Sequence, residues 1–296
     1  MHESLHRRWE VGMAVRRTPS VRARQLAREL RELRTNAGLT MDQVADGLGW
    51  SSAKVSRLET AYTLITVADL NRLLAFYEIS GEVADRFVRL ARAARERGWW
   101  ETYSDKISEK YAAFIGLEAD AQKIQTYRVG VIDGLLQTPG YARAIVEAGV
   151  PLIPPSEVNR VVEIRMKRQS RLRSLDALDL HMVVDEGVLR RRIAGAEVMR
   201  EQLEHLLRMA DLPNVRIQVV PFADGYPTGA TFSVLKFQEP QYPEVVYIEQ
   251  MSGSLIIEDE DEVFKYVNVF RGVCGKALDD ADSRALIAQI AAQFSD

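Results

Sequence analysis

The 296-residue chain has a single cysteine, Cys274, so no internal disulfide framework can form. Histidine is nearly as scarce, and of His2, His6, His181 and His205 only the first two have a ligand-like spacing, so no metal centre is expected. No apolar run approaches the roughly 20 residues of a membrane-spanning helix. The segment from Met1 to Trp9, with His2, His6, Arg7 and Arg8, lacks the apolar stretch of a secretory signal, and a cytoplasmic location is expected. Also missing are a Gly-x-Ser-x-Gly elbow, a phosphate-binding loop, a dinucleotide fingerprint and a His-Glu-x-x-His pair. An enzyme reading has only Asp185-Glu186 after a predicted strand, and His181 lacks a nucleophile partner. A non-enzymatic, cofactor-free role is therefore expected.

What is present argues for two domains. Hydrophobic residues make up 47% of a chain longer than most single domains. The net charge of -3 hides an asymmetry: residues 1–98 hold 17 Lys and Arg against 12 Asp and Glu, and the remainder 22 against 30. A basic N-terminal part suits a polyanion, because each neutralised phosphate releases counterions. Residues 1–20 show no periodicity and end in Arg16-Arg17-Thr18-Pro19-Ser20, which reads as a flexible basic arm.

From Val21 the apolar spacing becomes helical. Ala23, Leu26, Ala27, Leu30, Leu33 and Ala37 mark a first helix that stops at Asn36-Ala37-Gly38. Thr40 and Gln43 have capping-box spacing ahead of Met41, Val44, Ala45 and Leu48, a short second helix. Gly49 suits a left-handed turn, and Ser51 or Ser52 caps a third helix with Val55 and Leu58 inward. Two further helices are read from Val67, Leu70, Leu73, Leu74 and Tyr77, and from Val83, Phe87, Leu90, Ala91 and Ala94. The expectation is an all-α unit of five helices over 21–98.

Leu39-Thr40-x-x-x-Val44-Ala45-x-x-Leu48-Gly49-x-Ser51-x-x-x-Val55-Ser56-x-Leu58-Glu59 resembles the helix-turn-helix of Cro/repressor-type (XRE family) transcriptional regulators. That resemblance implies double-stranded DNA as partner, with the second helix of the motif in the major groove and the preceding helix across the backbone. Ser52, Ala53, Lys54 and Arg57 are then the base-reading candidates: Arg57 or Lys54 toward guanine, Ala53 toward a thymine methyl. Gln43, Ser51 and Ser56 suit phosphate contacts. The resemblance assigns Glu59 to a structural ion pair with Arg34, and two-fold operators imply a homodimer. Met41 stands where the family often has glutamine, and Thr60-Ala61 where it often has glycine.

The part from 99 to 296 opens on the aromatic cluster Trp99-Trp100-Glu101-Thr102-Tyr103, read as sealing a domain junction or lining a pocket. A helix is expected from Ser108 to about Tyr127, a turn from Asp133 leads to a helix capped by Thr138 with Pro139 first, and a basic helix follows over Val158 to Leu175. In the latter, Arg165, Lys167, Arg168, Arg171 and Arg173 read as a solvated face. Strands are expected at Leu180 to Val184, Val215 to Val220, Phe232 to Phe237 and Val245 to Glu249, and helices at Ala196 to Ala210, Asp259 to Cys274 and Asp279 to Phe294. The acidic run Glu258 to Glu262 suits a helix N-terminus. The domain thus reads as α+β with a small, mostly antiparallel sheet.

Five stretches carry a second resemblance: Gly134-Leu135-Leu136-Gln137-Thr138-Pro139-Gly140-Tyr141, Arg165-Met166-x-Arg168-Gln169, Asp185-Glu186-x-x-Leu189-Arg190, Gln202-Leu203 and Gln218-Val219-Val220-Pro221-Phe222. Together they resemble a domain of unknown function that follows Cro-type motifs in many actinomycete regulators, over about Trp99 to Phe270. Those proteins are commonly encoded beside a small partner protein and described as antitoxin-like, which implies a small protein partner and autoregulation. A ligand-sensing repressor is the alternative. Gln137, Tyr141, Arg165, Arg168, Gln169 and Glu186 are the pocket or interface candidates, with packing and capping as their competing roles.

Overall fold

A computed structural model describes residues 20–95, 98–103, 107–149, 155–224, 231–237, 243–250 and 253–294. The basic arm, with His2 and His6, lies outside the described residues apart from Ser20. The chain divides into two compact units at Gly98.

The first unit is all α, with α1 (Val21–Asn36), α2 (Met41–Leu48), α3 (Ser52–Glu59), α4 (Val67–Phe76) and α5 (Gly81–Ala93). Local chemistry sets its starts: Ser20, Thr40, Ser51 and Thr66 each accept a backbone N–H three residues on, at 3.0–3.2 Å. The reciprocal bond, from the Thr40 N–H to Gln43 Oε1 at 2.8 Å, completes the capping box. Leu26 and Leu30 of α1, Val44 and Ala45 of α2, Val55 and Leu58 of α3, Leu70 and Leu74 of α4 and Phe87 of α5 share one core.

The second unit is mixed α/β. After a 3-10 turn at Trp99–Tyr103 it runs α6 (Glu109–Asp120), β1 (Lys123–Arg128), α7 (Pro139–Ala148), α8 (Val158–Arg168), β2 (Asp179–Asp185), α9 (Glu186–Arg190), α10 (Ala196–Met209) and β3 (Val215–Val220). Then come β4 (Phe232–Lys236), β5 (Val245–Gln250), β6 (Gly253–Ile257), α11 (Glu260–Cys274) and α12 (Asp280–Ala292). The sheet order is β3-β2-β1-β4-β5-β6. β1–β2 and β2–β3 are parallel, bridged by helical crossovers, and the other three pairings are antiparallel. Tyr127, Val183, Phe232, Val234 and Val246 meet Val263, Val267 and Phe270 of α11 in one core. Strand alternation puts Tyr247 on the reverse face, where Phe114 of α6 stacks on it with centroids 3.8 Å apart.

Four elements differ from the sequence expectation, the short helix α9 being one that was not expected. The helix from Ser108 stops at Asp120, and Lys123–Arg128 is a central strand, because pairing with β2 and β4 on both sides satisfies its backbone and outweighs helical spacing. β6 is an additional edge strand, formed by pairing onto β5. The basic helix ends at Arg168 and continues as a 3-10 turn to Arg173, and most of its cations are held by the protein itself. Arg171 donates to the Ala121 carbonyl (2.9 Å) and Lys167 lies 4.8 Å from the Trp99 ring centre, while Lys167 and Arg173 stay exposed, so that face is solvated only in part.

Candidate nucleic-acid interface

The geometry of α2 and α3 follows from a few residues between them. Gly49 sits at φ 68°, a left-handed conformation that costs a β-carbon residue about 1–2 kcal/mol, and Trp50 N–H closes the turn onto the Ala45 carbonyl at 2.8 Å. Ser51 then caps α3, so only three residues separate the two helices. Buried beneath it, Arg34 donates from Nε to Glu59 Oε1 (2.7 Å), from Nη2 to Oε2 (3.0 Å) and from Nη1 to the Leu39 carbonyl (2.8 Å). One guanidinium thus ties the end of α1, the entry to α2 and the end of α3. Its hydrogen bond to Glu59 raises the arginine pKa further, against the opposing effect of burial. Burial and the same carboxylate push the Tyr77 hydroxyl up to about 12.

On the outer face of α3, Ala53 and Arg57 are exposed, and the Arg57 guanidinium makes no hydrogen bond or ion pair with a described residue, although its carbonyl accepts the Thr63 N–H at 3.1 Å. Ser52 donates to the Asp42 carboxylate of α2. Lys54 is half-buried, 3.0 Å from Asp69 Oδ2 and 3.9 Å above the Trp50 ring. Among the phosphate candidates, Gln43 uses its carbonyl in the capping box and can offer its amide NH2 outward; Ser51 is exposed but accepts the Lys54 N–H at 3.2 Å. Ser56 is half-buried, and its carbonyl accepts from Thr60 Oγ1 at 2.8 Å. Met41 packs on the core, and Ala61 occupies the left-handed region at φ 55°, the conformation for which glycine is the usual choice. Beside Thr60 and Ala61, a cleft of about 160 Å³ is lined by Arg24, Arg28 and Arg31 of α1.

The candidates of the second unit fall in two places. Gln137, Tyr141, Arg165 and Gln169 converge on the segment 132–137. Gln137 Nε2 donates to the Ile132 carbonyl (2.7 Å), Arg165 Nη1 to Gln137 Oε1 (2.8 Å), Gln169 Nε2 to the Gly134 and Gln137 carbonyls (3.0 and 2.7 Å), and Tyr141 Oη accepts the Ile132 N–H (3.3 Å). Arg168 forms a buried fork with Glu118 (2.7 and 2.6 Å) and donates to Tyr111 Oη at 2.9 Å. Burial alone would lower its pKa; Glu118 and Tyr111 more than compensate and hold it well above the usual arginine value. Glu186 stands apart after β2, accepting from Arg190 Nε (2.7 Å) and the Phe222 N–H (2.9 Å). All six are thus engaged in internal bonds.

Several members of this buried network were not among the site candidates read from the sequence. Asp133 takes Arg128 Nε at 2.9 Å, and Arg128 also reaches Ser233 Oγ at 3.0 Å, 105 residues away. Burial pushes the Asp133 carboxyl up, but Arg128, the Leu135 N–H and Arg168 together hold it below its ordinary value. Gln202 bridges the Thr138 N–H and the Leu136 carbonyl, both at 2.7 Å. The turn read from Asp133 and the Gln202-Leu203 stretch were the only cues, and Asp133 in addition caps the Leu135 N–H at 2.9 Å. Among the described residues no His, Cys, Asp or Glu cluster is arranged to hold a metal ion.

A short helix pair on a buried ion-pair scaffold, with an exposed arginine on the second helix, defines a helix-turn-helix domain, and residues 25–87 match the family described as helix-turn-helix domain. Residues 111–289 match the family described as domain of unknown function (DUF5753), and the chain belongs to that family. No curated protein matches the chain.

Proposed function

We propose that the protein is a sequence-specific transcriptional regulator of the Cro/repressor type that reads double-stranded DNA as a homodimer. The observation that carries this reading is the outer face of α3, where Arg57 and Ala53 stand exposed on a helix fixed from below by the Arg34–Glu59 fork. Arg57 is the strongest base reader, toward guanine O6 and N7. Gln43, Ser51 and the Arg31 side of the α1 cleft serve the phosphates. Two-fold symmetry places two such helices one turn of DNA apart.

The test is a salt-dependent footprint on the DNA upstream of the protein's own coding sequence. Arg57→Ala is expected to lose about 1–3 kcal/mol of discrimination at one base pair per half-site while retaining non-specific binding. Equal, sequence-blind protection by wild type and variant would sink the reading.

For the second unit we favour docking of a small protein over sensing of a small molecule. The side chains that resembled a pocket are engaged internally, whereas Phe222 and Phe264 are each 63% exposed. Such a pair makes an antitoxin-like, autoregulatory complex the better reading than an effector-gated repressor. We assign the unit no catalytic role, since the polar clusters described above are buried scaffolding. No helix among the described residues is long and apolar enough to cross a membrane, and a cytoplasmic location follows from the proposed DNA target.

A further inference from the structure

Lys54 lies on the proposed reading helix, yet its ammonium already has partners within the protein. Asp69 Oδ2 is 3.0 Å away, and the Trp50 ring centre lies 3.9 Å beneath it. Asp69 is itself fixed: its N–H is capped by Thr66 Oγ1 at 3.0 Å, and its carboxylate stands at the positive end of α4. Arg72 lies 5.6 Å from the same indole ring centre and donates to the Leu48 carbonyl at 2.7 Å. The lysine is only one-third exposed and Asp69 one-quarter, so the pair is half sheltered from solvent screening.

We propose that Asp69 is a specificity-determining positioning residue that holds Lys54 in reserve, so that the ammonium leaves the carboxylate only for a DNA sequence offering it better acceptors. The inference rests on the DNA-reading function proposed above and deepens it. On arbitrary DNA, Lys54 has a phosphate to gain and a carboxylate and an indole face to lose, and the exchange is close to even. While the pair stays closed, its net charge is zero and Lys54 adds nothing to counterion release. At the operator, guanine O6 and N7 supply two acceptors in place of one carboxylate oxygen, which tips the exchange. The carboxylate therefore suppresses wrong complexes more than the right one, which is specificity obtained by penalising the competitor.

The test uses the full chain and fluorescence anisotropy on two duplexes of equal length, the footprinted site and a scrambled one, over a salt series. Asp69→Asn is expected to tighten scrambled-duplex binding up to about fivefold at low salt, the range of a partly exposed ion pair. It is also expected to steepen the log–log salt slope by about 0.9, one phosphate contact, and to shift site binding less, so the specificity ratio falls. Asp69→Glu, which keeps a carboxylate, should restore the ratio, and in a Lys54→Met background Asp69→Asn should have no effect on ratio or slope. Thermal melts establish that each variant is folded, and a helix-start defect alone would lower the melt without steepening the salt slope. An unchanged ratio for Asp69→Asn beside a site-selective wild type overturns the proposal and leaves the DNA-reading function standing, as does an equal effect of Asp69→Asn with Lys54 removed. A wild type without preference for any duplex overturns both.

Discussion

At the scale of single residues, Arg34 and Glu59 show how a buried pair supports a site without touching a ligand. Both are nearly fully buried, and the fork satisfies both carboxylate oxygens. Removing one partner leaves a charge without its counterpart in low dielectric, so Glu59→Gln is expected to cost about 3–5 kcal/mol in urea unfolding. Replacing both residues with apolar ones of similar volume should cost far less, because no orphan charge remains. A base-contact role for Glu59 would give the opposite pattern, with stability kept and sequence preference altered. The resemblance made this pair legible because it assigns the acid that closes the motif, Glu59, to an arginine late in the preceding helix, Arg34. Arg168 was not legible in the same way: its partner Glu118 is 50 residues away, and from sequence the arginine looked like one of a run of solvated cations.

At the scale of elements, legibility follows the range of the interaction that forms each one. Caps act over three residues, so the starts of α2, α3 and α7 were readable from Thr40, Ser51 and Thr138. β1 draws its stability from β2, 56 residues on, and from β4, more than 100 on, which no window around Lys123–Arg128 contains. The same long-range pairing creates a pH dependence. His181 of β2 lies against Phe270, with Nε2 2.8 Å from Gln218 Oε1, and Gln218 gives its own amide to the Leu278 carbonyl. That amide orientation makes Nε2 the protonated nitrogen of a neutral ring. Burial, with Arg216 and Lys123 nearby and Asp280 and Gln218 only partly opposing, lowers the His181 pKa below 6.5; burial and two arginines do the same for His205 on α10. Below 6.5 the unfolded chain therefore binds more protons than the folded one, and unfolding takes protons up. Stability is complete above that value and is lost as pH falls toward the folded pKa values. The second unit's melting temperature should thus drop between about pH 7 and 5, and His181→Gln should flatten part of the drop. A melting temperature that rises over this range would contradict the assignment.

At the scale of the whole molecule, charge divides between the two units as the two proposed partners require. Residues 1–98 are net basic and carry α3 with its exposed Arg57, whereas residues 99–296 are net acidic. An acidic unit repels a phosphate backbone, and its exposed Phe222 and Phe264 are of the aromatic kind that anchors protein interfaces. Each unit has its own buried core, which permits the two to be expressed apart. The 1–98 fragment is expected to keep the non-specific DNA salt slope per protomer, since counterion release depends on the phosphates it neutralises. The 99–296 fragment is expected to bind no DNA but to co-purify with the product of the neighbouring small gene, and Phe222→Ala or Phe264→Ala should weaken that capture. DNA binding by 99–296 would refute the division of charge into function. Failure to capture the neighbouring product, with DNA binding by 1–98 intact, would remove the docking role and leave effector sensing as the task of the second unit.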